Sequence, residues 1–433
     1  MARSGRSGTG SGRIVAIIAI AVGAALVAEL AVLILSPHDL GPDPVAVDVG
    51  SYFDPAQVEQ ASGFRAGQRN LFLIGLAIEL LALGALALGR PRRARELLER
   101  LGARPILGAA AAGAAISLLL ALLAIPTGLV GHDRAVDVGL STQDLGGWLF
   151  DRARSAAIGA LLAAIGAMIL IALQRRLPRL WWVAGTGIVI LYAVVSTWLA
   201  PVVLAPVFND FEPLPDGPAR HQVLALADEA GVDVGGVYVV DASSRSTGLN
   251  AYVDGIGSSR RVVLYDNLLD RADAPVLRAV VAHELGHVAH DDLPRGLLFV
   301  AIIAPLGMLL VAVGGAGLAR RSGSRPGTPA ALPAYALLIT IVSLLLNLAG
   351  NQLARSVEAS ADHFALQLTD DPRAFIRLQQ ELAASNLSDP DPSSPVDAVL
   401  RTHPTTVQRI GAALAYAEQH RIDPGEPTFA APR

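Results

Sequence analysis

Residues 281–290 read VAHELGHVAH, which sets three histidines and a glutamate among mostly apolar neighbours. On a helix, positions four apart share a face, so His283 and His287 can aim imidazole nitrogens at one ion. Glu284 follows the first of them and can reach a water on that ion. This is the H-E-x-x-H arrangement of two zinc ligands and a general base. A catalytic zinc takes three protein ligands and keeps one position for water, whose pKa it lowers to about 7. The third ligand must come from elsewhere, and SVEASADHF carries Glu358 and Asp362, also four apart. Glu358 would complete a His-His-Glu set for one Zn2+. Asp362, one turn on, is suited to accept the free ring N–H of a ligating histidine and fix its tautomer.

The other histidines read differently. His290 is already turning off the ligand face and is expected to make a polar contact at the helix end. His363 is expected in packing or at the surface. His38, His132, His221 and His420 lack ligand spacing and are expected at the surface.

The elements that must position these groups are largely membranous. Of 433 residues 52% are hydrophobic and 17% charged, with mean hydropathy +0.48, too apolar for an ordinary soluble protein. Net charge −4 and a pI near 6.1 give no nucleic-acid signature, so no nucleic-acid partner is expected. The absence of cysteine excludes disulfides and thiolate metal ligands. Seven stretches are long and apolar enough to span a bilayer, near 14–35, 70–89, 107–131, 155–174, 180–207, 296–318 and 330–354. The first, after RSGRSGTGSGR, lacks a clear cleavage site and reads as an anchor. Glu29 and Glu79 fall inside spans and are expected to face a polar interior or another helix.

The chain thus divides into a five-span region (1–207), a catalytic region (208–295), a two-span hairpin (296–354) and a helical C-terminal region (355–433). The predicted fold is a mainly α membrane protein with an inserted α+β unit. FNDFEPLPDG reads as an irregular exit from the membrane, and PARHQVLALADEAGV as an amphipathic helix. GVYVVD, NAYV and RRVVLYD read as short strands, the last two as a hairpin. The helix holding His283 and His287 runs over APVLRAVVAHELGHVAHDD. SVEASADHFALQL continues out of the seventh span, and VDAVLRTHPTTVQRIGAALAYAEQH is helical apart from a break near Pro404. His287 precedes the sixth span and Glu358 follows the seventh, so at about 1.5 Å per residue both lie within roughly 10–15 Å of one membrane edge. An antiparallel hairpin of these spans would bring them together.

These residues resemble those of the integral-membrane zinc metalloproteases typified by CAAX prenyl protease 1. The resemblance runs through YFDPAQVEQASGFRAGQRN, LAPVFNDFEPLPDG, VYVVDASSRSTGLNAYVDGIGSSRRVVLYDNLLD, HELGH, SVEASADHFAL and THPTTVQRI. It implies a gluzincin catalytic domain inserted in seven helices around a large intramembrane chamber. It also implies His283, His287 and Glu358 as zinc ligands and Glu284 as the base. Asp362 matches the family's second acidic residue. Asn250 and Ala251 match a segment whose strand pairs with substrate backbone, and His403 and Arg409 match residues that close over the site and stabilise the oxyanion. On chemistry alone, Asn250 could equally cap a turn and His403 could be a loop histidine.

The expected activity is zinc-dependent endopeptidase hydrolysis within the membrane. Lipids are the surroundings, and peptides or proteins, lipidated or not, are the substrates. An HtpX-like quality-control protease is one alternative, and a non-catalytic zinc-stabilised scaffold or transporter another. Arg residues concentrate on the side of the N-terminus and the second, fourth and sixth connections, which by the positive-inside rule turns the catalytic regions outward. The resemblance implies the cytosolic side.

Overall fold

The computed structural model describes residues 8–427 and 429, apart from 90, 256, 258 and 259. Arg3, Arg6 and Arg90 of the Arg-rich side, and part of the expected DGIGSS turn, lie outside the described residues. The chain opens with α1 (Gly8–Leu35), the one-turn α2 (Val49–Tyr52) and α3 (Pro55–Gly84), which runs into a π-helical turn, Ala85–Gly89. The short α4 (Arg92–Leu101) precedes α5 (Pro105–Asp137), α6 (Leu145–Arg176) and α7 (Trp181–Leu199). A second π turn, Ala200–Leu204, and α8 (Ala205–Phe208) lead out of the bundle.

The inserted unit comprises β1 (Phe211–Pro213), α9 (Pro218–Glu229), β2 (Gly236–Val240), β3 (Ala251–Asp254), β4 (Arg261–Tyr265), α10 (Asp266–Arg271) and α11 (Ala274–Ala289). After it come α12 (Asp292–Arg321) and α13 (Leu332–Thr369), followed by α14 (Pro372–Ser385), α15 (Pro395–Leu400) and α16 (Thr406–His420). Seven of these helices are long and apolar enough to cross a membrane. Several exceed a bilayer's needs: α13, with 38 residues, is about 57 Å long at 1.5 Å per residue.

Local chemistry explains where the helices begin. Asp54, Asp273 and Asp371 each accept a backbone N–H of the following turn, with proline at one of the first two helical positions. Thr405 and Gln408 form a reciprocal capping box at the start of α16.

The sheet order is β1-β2-β4-β3. β3 and β4 pair antiparallel from Ala251↔Leu264 to Asp254↔Arg261, as the sequence leads one to expect, and β2 lies parallel to β4. β1 corrects the irregular reading of FNDFEPLPDG: Phe211–Pro213 pairs with Val240–Tyr238 because β2 offers it an open edge. One core unites Tyr52 and Phe53 with Leu226, Leu264, Leu268, Leu285, Leu366, Phe375 and Ile410, so the loop after the first span is built into the inserted unit. Here Val45 N–H donates to the Gly411 carbonyl at 3.2 Å. A Cβ on Gly411 would lie 2.3 Å from the Val45 carbonyl oxygen, so only glycine admits this approach.

Between the spans, small residues allow similar closeness. A Cβ on Gly113 would meet Ala163 of α6 at 2.6 Å, and one on Gly315 would meet the Tyr335 ring at 2.5 Å. Two cavities of about 520 and 590 Å³ lie among the spans. Glu29 accepts from Gln352 at 3.0 Å and Glu79 from Thr340 at 3.1 Å, so both acidic side chains tie their helices to α13. His132 departs from its expected surface position. It is buried and stacked on Trp148, because α5 continues past the apolar stretch and packs its last turns against α6. Arg175 and Arg176 end α6, and Arg320 and Arg321 end α12, the latter pair at the far end from Asp292.

Candidate active site

α11 packs against α13, and this contact assembles the site. Gly286 permits it, since a Cβ there would press on Ala361 and Phe364 at 3.1–3.3 Å. His283, His287 and Glu358 converge so that one ligand atom from each lies within 4.8 Å of the others. His283 Nε2 is 3.3 Å from Glu358 Oε2, and His287 Nε2 is 3.8 Å from Glu358 Oε1. Two ligands at about 2.0–2.1 Å from a tetrahedral zinc stand roughly 3.3 Å apart, so the spacing fits such an ion.

The donor set fits as well. Both imidazoles turn Nε2 inward while Nδ1 is taken by a carboxylate. His283 Nδ1 meets Asp362 at 2.9 Å and His287 Nδ1 meets Asp292 at 3.0 Å. Each ring is thereby fixed in the tautomer whose Nε2 lone pair faces the third ligand. Glu358 Oε2 is buried without a hydrogen-bond partner, as a metal-ligating oxygen would be before its ion is counted. Burial alone would depress the His283 imidazole, but the carboxylates of Asp362 and Glu358 outweigh it and hold its pKa up to about 10. In a site with this charge balance a metal ion would replace that proton.

Glu284 lies on the same helix, half-buried between the two imidazoles in sequence. Burial, with Glu358 adding to it, pushes its carboxyl above the ordinary value against the pull of His283, His287 and Arg409. That makes it a stronger base than an exposed glutamate. His403 Nε2 stands 3.1 Å from Glu358 Oε1 on a mostly exposed ring, which puts it at the mouth of the site. Its segment is tethered to α13: Asn351 donates to the Val399 and Leu400 carbonyls, and Arg355 to that of Arg401. Asn351, Arg355, Glu358 and Asp362 follow one helical face, so a single stripe carries Glu358 and the contacts that hold the His403 segment.

Arg409 is turned toward Asp362, with Nε donating to Oδ2 at 2.8 Å and Nη2 to Oδ1. It therefore braces Asp362, which in turn orients His283. Asn250 is exposed next to the start of β3, and its carbonyl accepts from Tyr265 N–H at 3.1 Å. Ala251, the first residue of that strand, is buried. His290 makes the expected helix-end contact, with Ser360 at 3.0 Å. His363 lies against Asp39 at 3.2 Å and beside Tyr416.

Asp292 is the site residue that sequence reasoning does not single out. Asp291 takes a left-handed conformation (φ 53°), which ends α11 and swings the first residue of α12 back under His287. The HDD run after the motif was the available signal. Asp292→Asn should keep the fold and weaken metal binding about 10–100-fold. Competition with a fluorescent zinc chelator measures this, and an unchanged affinity would remove Asp292 from the site.

A helix-borne His-His-Glu cluster with a neighbouring carboxylate, set at the end of a seven-span bundle, defines a membrane-embedded metallopeptidase. The chain belongs to peptidase family M48, whose model matches residues 213–417. A second model, described as CAAX prenyl protease N-terminal, five membrane helices, matches residues 80–210. The chain is 27% identical to the uncharacterized metalloprotease YhfN of Bacillus subtilis over 377 residues, covering 84% of this chain and 87% of that one. It is 31% identical to the CAAX prenyl protease 1 homolog of Arabidopsis thaliana over 280 residues, which is 61% of this chain and 64% of the plant protein. Among solved structures, S. mikatae Ste24p shares the fold with a TM-score of 0.75 at 17% identity, over 93% of this chain and 98% of that one. The protein is a multi-pass membrane metallopeptidase, and its substrates are peptides or proteins.

Proposed function

We propose that the protein is a zinc endopeptidase that cuts peptides held as an added strand beside β3, with the substrate class of the CAAX prenyl protease 1 relatives. The convergence of His283, His287 and Glu358 on one point carries this reading. A zinc ion held by these three residues would acidify water and polarise a carbonyl. Glu284 takes the proton of the attacking water and returns it to the nitrogen of the leaving amine. His403, at the mouth, donates to the oxygen on which negative charge develops. Asp362 and Asp292 keep the two imidazoles aimed, and Arg409 holds Asp362. The outer edge of β3 is unpaired among the described residues, and β3 packs on α11, so a peptide joining that edge would run past the site. The match of the five-helix N-terminal model favours this reading over the HtpX-like one. The contacts of Glu29 and Glu79 join helices, which leaves the transporter alternative without support.

The test is hydrolysis of a farnesylated CAAX peptide and its unprenylated twin by purified protein before and after chelation. Activity should vanish on metal removal, return with one zinc per chain, and be higher on the farnesylated peptide. Full hydrolysis by metal-free protein would overturn the metal mechanism, while equal rates on both peptides would overturn the substrate class.

A further inference from the structure

We infer that Asn386 is a specificity-determining residue that ends the substrate-binding edge: its side-chain amide fills the backbone slot at Leu249, so a bound peptide pairs with Ala251 and Val253 and must leave the sheet beyond them. The inference rests on the strand-addition reading above. Leu249 N–H donates to Asn386 Oδ1 at 2.9 Å, and Asn386 Nδ2 donates to the Leu249 carbonyl at 3.2 Å. One side chain thus reproduces both hydrogen bonds that a neighbouring strand residue would make. The next carbonyl along, that of Asn250, faces the other way and accepts from Tyr265 N–H of β4. Backbone groups alternate in direction along a strand, so those of Leu249, Ala251 and Val253 face one outer edge. The first of these three slots is filled from within the protein; no strand among the described residues pairs with the other two, and Ala251, 2% exposed, opens to a peptide only when its cover moves.

Asn386 is held firmly enough to act as a stop. It caps the C-terminus of α14, with its N–H donating to the Leu382 carbonyl at 3.0 Å. Arg65, reaching in from α3, donates to the carbonyls of Asn386 at 2.5 Å and Leu387 at 2.8 Å. Leu387 turns the chain away in a left-handed conformation (φ 46°). On the strand side, Asn267 Nδ2 holds the Ser246 carbonyl at 2.7 Å and the Gly248 carbonyl at 3.2 Å. Gly248 makes room for the amide, since a Cβ there would stand 2.7 Å from Asn386 Oδ1. A membrane helix, the C-terminal region and the edge of the sheet therefore meet at this one residue.

The experiment is a scan of single backbone N-methylations through an unstructured peptide that the full-length protein cleaves, read as kcat/KM at each position. The wild-type protein should be sensitive at two alternate substrate amides. Asn386→Ala, which opens the Leu249 slot, should add a third sensitive position two residues further along, with a loss of about 3- to 10-fold, the worth of one hydrogen bond. Gly248→Ala, which pushes the amide aside, should add the same position and serves if the first variant does not fold. A uniform fall at all positions, with no new one, would mean that Asn386 only supports the fold and would overturn the inference. If the wild-type protein shows no sensitive amide at all, the strand-addition reading fails instead.

Discussion

Glu284→Gln should bind zinc with wild-type stoichiometry and keep its unfolding temperature, yet hydrolyse peptide about 10²–10⁴-fold more slowly. The amide is nearly isosteric, so the α11–α13 contact that brings His283 and His287 to Glu358 is untouched. It cannot accept the proton of an attacking water, however, and it has none to give the leaving amine. Burial holds the Glu284 carboxyl above its ordinary pKa, which suits it to the proton transfer proposed for it. Metal analysis and single-turnover hydrolysis on the same preparation separate chemistry from binding. Turnover within threefold of wild type by a zinc-replete variant would assign the base elsewhere.

Arg409→Met should destabilise the protein by about 3–5 kcal/mol, the usual cost of breaking a buried ion pair from one side. Asp362 and Arg409 are almost wholly shielded, at 4% and 11% side-chain exposure, and they share two hydrogen bonds. Without the guanidinium, Asp362 keeps the His283 ring as its one remaining partner among the described residues. The carboxylate then either stays charged and unpaired or takes up a proton and stops orienting the ring. Metal affinity should fall together with stability, and Arg409→Lys should restore part of each, since a point charge lacks the fork geometry. The double variant Asp362→Asn/Arg409→Met should be more stable than Arg409→Met alone, because the orphaned charge is gone. Thermal unfolding in detergent, with and without zinc, measures all three. A loss below 1 kcal/mol would show that the pair is solvated.

Much of this site is legible in the sequence because its parts are local. His283 and His287 announce themselves by a four-residue period, as do Glu358 and Asp362, and apolar length marks the spans. The β3–β4 hairpin follows from two short β-branched and aromatic runs on either side of DGIGSS. The rest is not local. Phe211–Pro213 becomes a strand only because β2 lies beside it. Asp292 reaches His287 only because Asp291 adopts an uncommon backbone conformation, which composition does not announce. Arg409 could face either the reaction centre or Asp362, and packing of α16 decides for the latter. Asn386 meets Leu249 across 137 residues with no period linking them. The α14 helix is local again: the Asp371–Pro372 start and the apolar spacing of AFIRLQQEL carry its signal.

The unbroken course of α13 joins Glu358 directly to a membrane span. Leu332 and Glu358 sit on one rod, about 39 Å apart at 1.5 Å per residue, with no hinge between them. Tilting that rod by 5° about its far end would carry the carboxylate sideways by about 3 Å, more than a metal–ligand bond length. A tilt of α13 that α11 did not follow would therefore be felt at Glu358, and the helices packed along α13 oppose it.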